Sequence, residues 1–264
     1  MPLGNPGDLS PRAREVLSHV DAVLAEDTRR AGLVCGRCGL AVRRFVSFHE
    51  HNEKKRVPEI VAWLRKGARL ALIADAGMPI VADPGYRLVR SCREAGIPVS
   101  VIPGPSAPIT ALAGSGIAPL PATFLGFLPR DAAGRKKLFS VFARTPGSLV
   151  FFERKDRLAA SLADAFTLLG QRQLCIAREL TKTHEEFIVS WLSDYEKSSA
   201  DLLGEITVVI GPALEVCKDP ELKARAVLQA EQERGGRPRE IARRAQGRLY
   251  GWTCSELYAL LTCE

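Results

Sequence analysis

Apolar runs about one strand long alternate along this chain with segments whose apolar positions recur every three to four residues. The spacing predicts a helix over residues 11–24, with Ser10 at its N-cap and Pro11 at the first helical position. A second amphipathic helix covers 57–66 and ends at Gly67. Residues 69–74 form a continuous apolar run, the pattern of a strand buried on both faces. A helix over 86–94 stopped by Gly96, a strand at 99–102 and a helix at 105–113 complete the first half. Beyond the proline-rich link at 118–121, strands are expected at 123–127, 148–152, 173–177, around 187–191 and at 205–210. Helices are expected between them at 135–143 and 156–169. From Asp219 the chain turns helical, breaks at Gly235-Gly236, and ends on an apolar helix at 255–261. The fold class is therefore α/β, with two α/β domains at 1–118 and 119–217, parallel sheet cores, and a small C-terminal helical segment at 218–264.

A chain of 264 residues with 46% hydrophobic content can bury full cores, which excludes a disordered chain. No apolar run approaches the roughly 18 residues of a membrane span, and Met1-Pro2-Leu3-Gly4-Asn5 lacks the pattern of a signal peptide. A soluble, cytoplasmic protein without a membrane partner is expected, as a homodimer. Cysteines fall at 35, 38, 92, 175, 217, 254 and 263, an odd and scattered set that fits free thiols. The Cys35-Gly-Arg-Cys38 pair has no second ligand pair to complete a tetrahedral zinc site, so no metal is expected. The net charge is +7, and positions 218–248 hold nine basic residues against five acids. Such an excess attracts polyanions, although a solvated helix face has the same composition.

Four turns sit at the ends of the expected strands, residues 3–8, 75–85, 103–107 and 178–182, the first three rich in glycine and proline. Ligands of open α/β sheets bind there, where glycine admits a close approach and proline fixes the turn. Neither a GxGxxG nor a GxxxxGK[ST] phrase is present, so dinucleotide and triphosphate readings are weak.

Seven phrases then carry a resemblance in order and spacing up to about Gly211. They are residues 4–13, Glu26-Asp27-Thr28-Arg29, His49-Glu50-His51-Asn52-Glu53, 75–85, 103–107, Gly126-Phe127-Leu128-Pro129 and 178–182. Together they resemble the bacterial 16S ribosomal RNA 2′-O-methyltransferase I family, part of the tetrapyrrole (corrin/porphyrin) methylase superfamily. The resemblance implies S-adenosylmethionine bound between two α/β domains of the tetrapyrrole-methylase type. It also implies methylation of a cytidine ribose 2′-hydroxyl in 16S rRNA of the small ribosomal subunit. Carried over by position, the cofactor would meet Leu3; Asp75, Ala76, Gly77, Met78 and Ile80; Ser106 and Ala107; Glu153; and Leu180 and Thr181.

A ribose hydroxyl is a poor nucleophile until its proton leaves, so a base or cation is needed beside it. Candidates are Asp27, His51, Glu153, Lys182 and Glu186, with Asp27 equally able to serve as a structural partner of Arg29 or Arg30. The RNA-binding pool is Arg29, Arg30, His49, Asn52, Arg130, Arg135, Lys136, Lys137, Arg178 and the basic C-terminal segment. Residues 135–137 also suit a solvated helix start, and Trp63 reads as core. Three departures from the family pattern stand out. The chain starts within the first turn, so a leading strand is expected to be missing, with cofactor binding weakened at residues 3–5 or the true start upstream. Met78 replaces a threonine, and Ala74 a serine. Tetrapyrrole methylation on the same scaffold, or a catalytically weak RNA-binding assembly factor, are the alternative functions.

Overall fold

In a computed structural model, residues 1–214 and 218–262 are described; Cys217, Cys263 and the expected boundary at 217 lie outside them. The first half opens on α1 (Pro11–His19), whose first turn Ser10 caps by accepting from Ala13 N–H. Helix α1 stops at His19, and the last residues of the expected helix form strand β1 (Ala22–Ala25) instead. A short apolar run does not reveal its period, and burial decided the matter: all four residues of β1 are buried at the centre of a sheet. Helix α2 (Thr28–Arg37), strand β2 (Phe45–Ser47), helix α3 (Glu50–Arg65) and strand β3 (Leu70–Leu72) follow. The sheet order is β2-β1-β3, all parallel. Residues 99–102, expected as a strand, run without a strand partner. Arginine side chains satisfy their carbonyls instead: Arg12 donates to Val101 and Arg93 to Val99. Helices α4 (Tyr86–Glu94) and α5 (Ala107–Gly114) flank that segment.

The second half contains β4 (Ala122–Phe127), α6 (Ala132–Phe142), β5 (Ser148–Glu153), α7 (Lys155–Leu169), β6 (Gln173–Arg178), β7 (Glu186–Trp191), α8 (Tyr195–Ser198) and β8 (Ile206–Ile210). Its sheet order is β4-β5-β8-β6-β7, and only the β4–β5 pair is parallel. The expectation of a parallel core therefore fails here. The short link between β6 and β7 permits only antiparallel pairing, and β8 enters between β5 and β6 running against both. Fully buried Phe139, Phe151, Leu149, Leu162 and Ile176 pack this sheet against α6 and α7.

The basic C-terminal segment is a packed unit rather than a solvated arm. Helices α9 (Glu221–Glu233), α10 (Pro238–Gln246) and α11 (Cys254–Thr262) close over Ala224, Leu228, Ile241, Ala245 and Leu257. Inside lies Glu231, fully buried and bound by Arg244 at 2.8 Å, Arg248 at 2.7 Å and Arg234 at 3.0 Å. Hydrogen bonds from Arg244, then Arg248 and Arg234, hold its carboxyl down at about 2 against the cost of burial. Buried Asp219 ties the unit to the second half through Arg144 at 3.1 Å, and Tyr250 hydroxyl donates to the Arg144 carbonyl. Cys35 and Cys38 are buried thiols packed under α2 among Leu9, Val23 and Leu40. Trp63 packs half-buried, with the Arg44 guanidinium 5.4 Å above its ring.

Candidate active site

The strand ends of the two sheets face one another across a cleft of about 470 Å³. Turn 75–85 after β3, the start of α5, the end of β5 with the start of α7, and residues 204–207 leading into β8 all line it. Leu3 reaches in from the first turn. Gly77 has a positive φ of 69°, and a Cβ there would lie 3.1 Å from Leu3 Cδ2 and 3.3 Å from the Pro105 carbonyl oxygen. Only glycine lets these three turns meet. Ile80, Ala82, Glu179 and Thr181 also hold left-handed backbone, so four of the five described non-glycine residues with positive φ, Asp201 being the fifth, fall in two turns beside the cleft.

Asp75 dominates the electrostatics. Its Oδ2 lies 3.3 Å from Arg30 Nε, while its Oδ1 is buried without a hydrogen-bond partner. Burial pushes its carboxyl above the usual range against the pull of Arg30, and Asp27 and Glu205 add to the rise. An orphaned carboxylate oxygen is costly, and this one lines the cleft with its acceptor capacity open. Nearby Asp83 is pushed up to about 6, first by burial and then by Glu26 and Asp75. Opposite, Ser106 begins α5 without capping it, leaving its hydroxyl and the helix N-terminus toward the cleft.

A second cavity of about 890 Å³ adjoins the first. It lies between the first turn, α2 and residues 181–183, and shares Leu3, Arg30, Asp75, Ala76 and Glu205 with its neighbour. Lys182 lines it, with Nζ 2.8 Å from Glu179 Oε1 and 3.0 Å from Glu205 Oε2. Burial works against its charge, but hydrogen bonds to Glu179 and Glu205 outweigh it, and Lys182 sits above the usual lysine range. Arg30 closes the chain of charges, 3.5 Å from Glu205 Oε1.

Of the expected cofactor residues, Leu3, Asp75, Ala76, Gly77, Met78, Ser106, Ala107 and Glu153 line the first cavity. Glu153, however, turns its carboxylate to α7, accepting from Arg154 N–H, Ser161 and Arg157. Ile80 lies behind the cleft against Gly85, and Leu180 is core. Thr181 lines the second cavity and accepts from Asn5 N–H at 3.1 Å. Of the proton-transfer candidates other than Glu153, Lys182 alone lines either of these two cavities. Asp27 caps α2, with its carboxyl lowered by the backbone N–H groups of Arg29 and Arg30. Glu186 pairs with Arg178 at 2.6 Å, and His51 stands exposed on the first turn of α3.

The RNA pool divides similarly. Arg30 lies at the cavities' shared wall, whereas Asn52 accepts from His49 N–H and donates to the Ser47 carbonyl, fixing the start of α3. His49 sits against His51 with rings 6.0 Å apart. Arg29, Arg130 and Lys137 are exposed, and Lys136 lies 3.7 Å from Asp164. Arg135 is interior, paired with Asp164 at 2.8 Å, so it is no phosphate clamp. Sequence reasoning missed Asp83, Phe127, Phe152 and the whole 204–207 segment. The last escaped because ligands were sought at strand C-termini, and antiparallel β8 brings its N-terminus to the same side.

The sequence matches the family described as Tetrapyrrole (Corrin/Porphyrin) Methylases over residues 1–195. The chain belongs to that family. Within it, the chain is 38% identical to the Ribosomal RNA small subunit methyltransferase I of Micromonospora olivasterospora, over 97% of this chain and 84% of that protein. It is 42% identical to the protein of the same description from Thermotoga maritima, over 79% of this chain and 94% of the relative. The fold is also that of more distant proteins. Diphthine synthase superposes with a TM-score of 0.62 at 12% identity, covering 80% of this chain and 87% of that one. Uroporphyrin-III C-methyltransferase from Thermus thermophilus, solved with S-adenyl homocysteine, gives 0.57 at 18% identity, covering 79% and 93%.

Proposed function

We propose that the protein transfers a methyl group from S-adenosylmethionine to the ribose 2′-hydroxyl of a cytidine in 16S rRNA. The observation that carries this reading is the pair of adjoining cavities with one charged wall between them, which suits a donor on one side and an acceptor on the other. Residues of the first cavity fit the cofactor. The orphaned Asp75 Oδ1 offers an acceptor to an ammonium or ribose hydroxyl, and the α5 N-terminus with Ser106 offers donors to a carboxylate. Phe127, Phe152 and Met78 supply apolar surface for an aromatic base. When bound, the cofactor supplies a sulfonium methyl for in-line displacement, and this chain supplies alignment and field.

The second cavity suits a single unstacked nucleotide. Arg30, exposed Arg37 and Lys182 offer charge to phosphate and hydroxyl, and Leu33, 68% exposed, offers an apolar face to the base. Lys182, held as an ammonium by two carboxylates, stabilises the oxygen as its charge develops. The proposal includes the homodimer and the cytoplasmic location expected above; among the described residues, no helix is long and apolar enough to cross a membrane.

The test is methyl transfer from labelled cofactor to small ribosomal subunits that lack the modification, mapped at nucleotide resolution. Label on one cytidine 2′-oxygen supports the reading. Label transferred only to an added porphyrinoid would replace it with tetrapyrrole methylation, and cofactor binding without transfer to either would remove both.

A further inference from the structure

The charged groups on the wall common to both cavities are Arg30, Asp75 and Glu205. In methyl transfer to a hydroxyl, the new O–C bond forms as the S–C bond breaks and sulfur leaves neutral. One proton must then go from the attacking oxygen to a base. Lys182 cannot take it, because two carboxylates hold its Nζ protonated. Asp27 caps α2 and Glu186 is paired with Arg178, and neither lines either of the two cavities. Asp75 turns its free oxygen into a buried position, the one assigned above to the cofactor.

We infer that Glu205 accepts the proton of the acceptor hydroxyl, with Glu179 and Lys182 as its positioning residues. The inference rests on the methyl-transfer reading above and adds the residue that completes it. The Glu205 side chain is 61% exposed, and Oε2 bonds Lys182 while Oε1 lies 3.5 Å from Arg30, loose enough to take another donor. Its backbone is fixed. Glu205 N–H donates to Glu179 Oε1 at 2.8 Å, and Glu179 N–H donates to the Glu205 carbonyl at 3.0 Å. Gly204, at φ 97°, leaves room for this clasp, since a Cβ there would lie 2.5 Å from the Glu179 carboxylate. The carboxylate thus swings from an anchored Cα at the boundary between the two compartments. Once it is protonated, Lys182 and Arg30 lose one of their two carboxylate partners, keep Glu179 and Asp75, and turn more of their charge to the attacking oxygen.

The charged groups around Glu205 are Lys182 and Glu179 after β6, Arg30 and Arg37 on α2, Asp75 and Asp83 after β3, and Glu153, Arg154, Lys155 and Asp156 at the end of β5 and the start of α7, which line the two cavities with it. The test is single-turnover methylation of small ribosomal subunits by Glu205→Gln across pH, with cofactor affinity and melting temperature measured in parallel. We expect the rate to fall about 100-fold or more, cofactor affinity to stay within about twofold of wild type, and the acid limb of the wild-type pH–rate profile to vanish. A rate above about one tenth of wild type, or an unchanged acid limb, overturns the assignment. Should glutamine disturb folding or cofactor binding, Glu205→Asp decides. A rate reduced about tenfold at unchanged KM and cofactor affinity supports proton transfer, and a wild-type rate overturns it. Wild-type protein that binds cofactor but transfers no methyl group sinks the functional reading and this inference with it.

Discussion

Glu231 and Asp75 are two carboxylates that face arginine, and they are built to opposite ends. Glu231, among the C-terminal helices, is closed on all sides by Arg234, Arg244 and Arg248 and lies well below the usual range. Asp75 keeps one oxygen paired with Arg30, leaves the other buried and unpaired, and lies above its usual range. The first arrangement holds helices together. The second leaves a buried acceptor open at the cleft, the feature on which the proposed cofactor role rests.

The sharpest break of that comparison is Asp75→Ala. Cofactor affinity, read by calorimetry, is expected to fall about 100-fold or more, with melting temperature unchanged or raised because a costly buried group is gone. Unchanged affinity would put Asp75 with the structural carboxylates. Glu231→Ala should do the reverse, lowering the melting temperature by about 10 °C and leaving cofactor affinity intact. The same hub has a pH signature. Its contribution is full above the ordinary glutamate value of 4.5 and is lost as pH falls toward about 2, so acid unfolding followed by circular dichroism should begin in α9–α11.

Smaller effects sharpen the picture. Removing residues 219–264 should weaken binding to ribosomal RNA about tenfold at low salt and spare the cofactor; an unchanged affinity would confine those helices to packing. Many of their cations are already engaged within the unit, so a loss far beyond tenfold is not expected. Asp83→Asn should have the least effect. With its carboxyl pushed up to about 6, the native state binds the proton more tightly than the unfolded chain. Stability is therefore lost as pH rises from the ordinary 3.8 through 6. The amide should raise the melting temperature by about 2–4 °C at pH 8 and change little at pH 4; equal shifts at both would show that charge is not the cause.

How much of the site was legible depended on how its residues are marked in the chain. Turns 75–85 and 103–107 announce themselves by glycine and proline, and both line the cleft. Glu153 was marked by its place at a strand end, but no local pattern shows that its carboxylate folds back onto Ser161 and Arg157. Arg135 looked like its neighbours Lys136 and Lys137, yet helical spacing turned it inward to Asp164. Asp83 lay inside a recognised turn without any feature separating it from the acids of other turns.

Local chemistry, then, fixed the alternation of strands and helices, the tight turns and the helix start at Ser10, because glycine, proline and capping residues act over a few positions. The family resemblance was legible for the same reason, since its phrases are largely those turns and helix starts. Tertiary structure alone decided that Ala22–Ala25 is a strand, that β8 runs backward into the second sheet, and that Glu205 therefore meets Arg30 and Lys182. Burial and pairing partners are set by segments far apart in sequence, and no window of local spacing contains them.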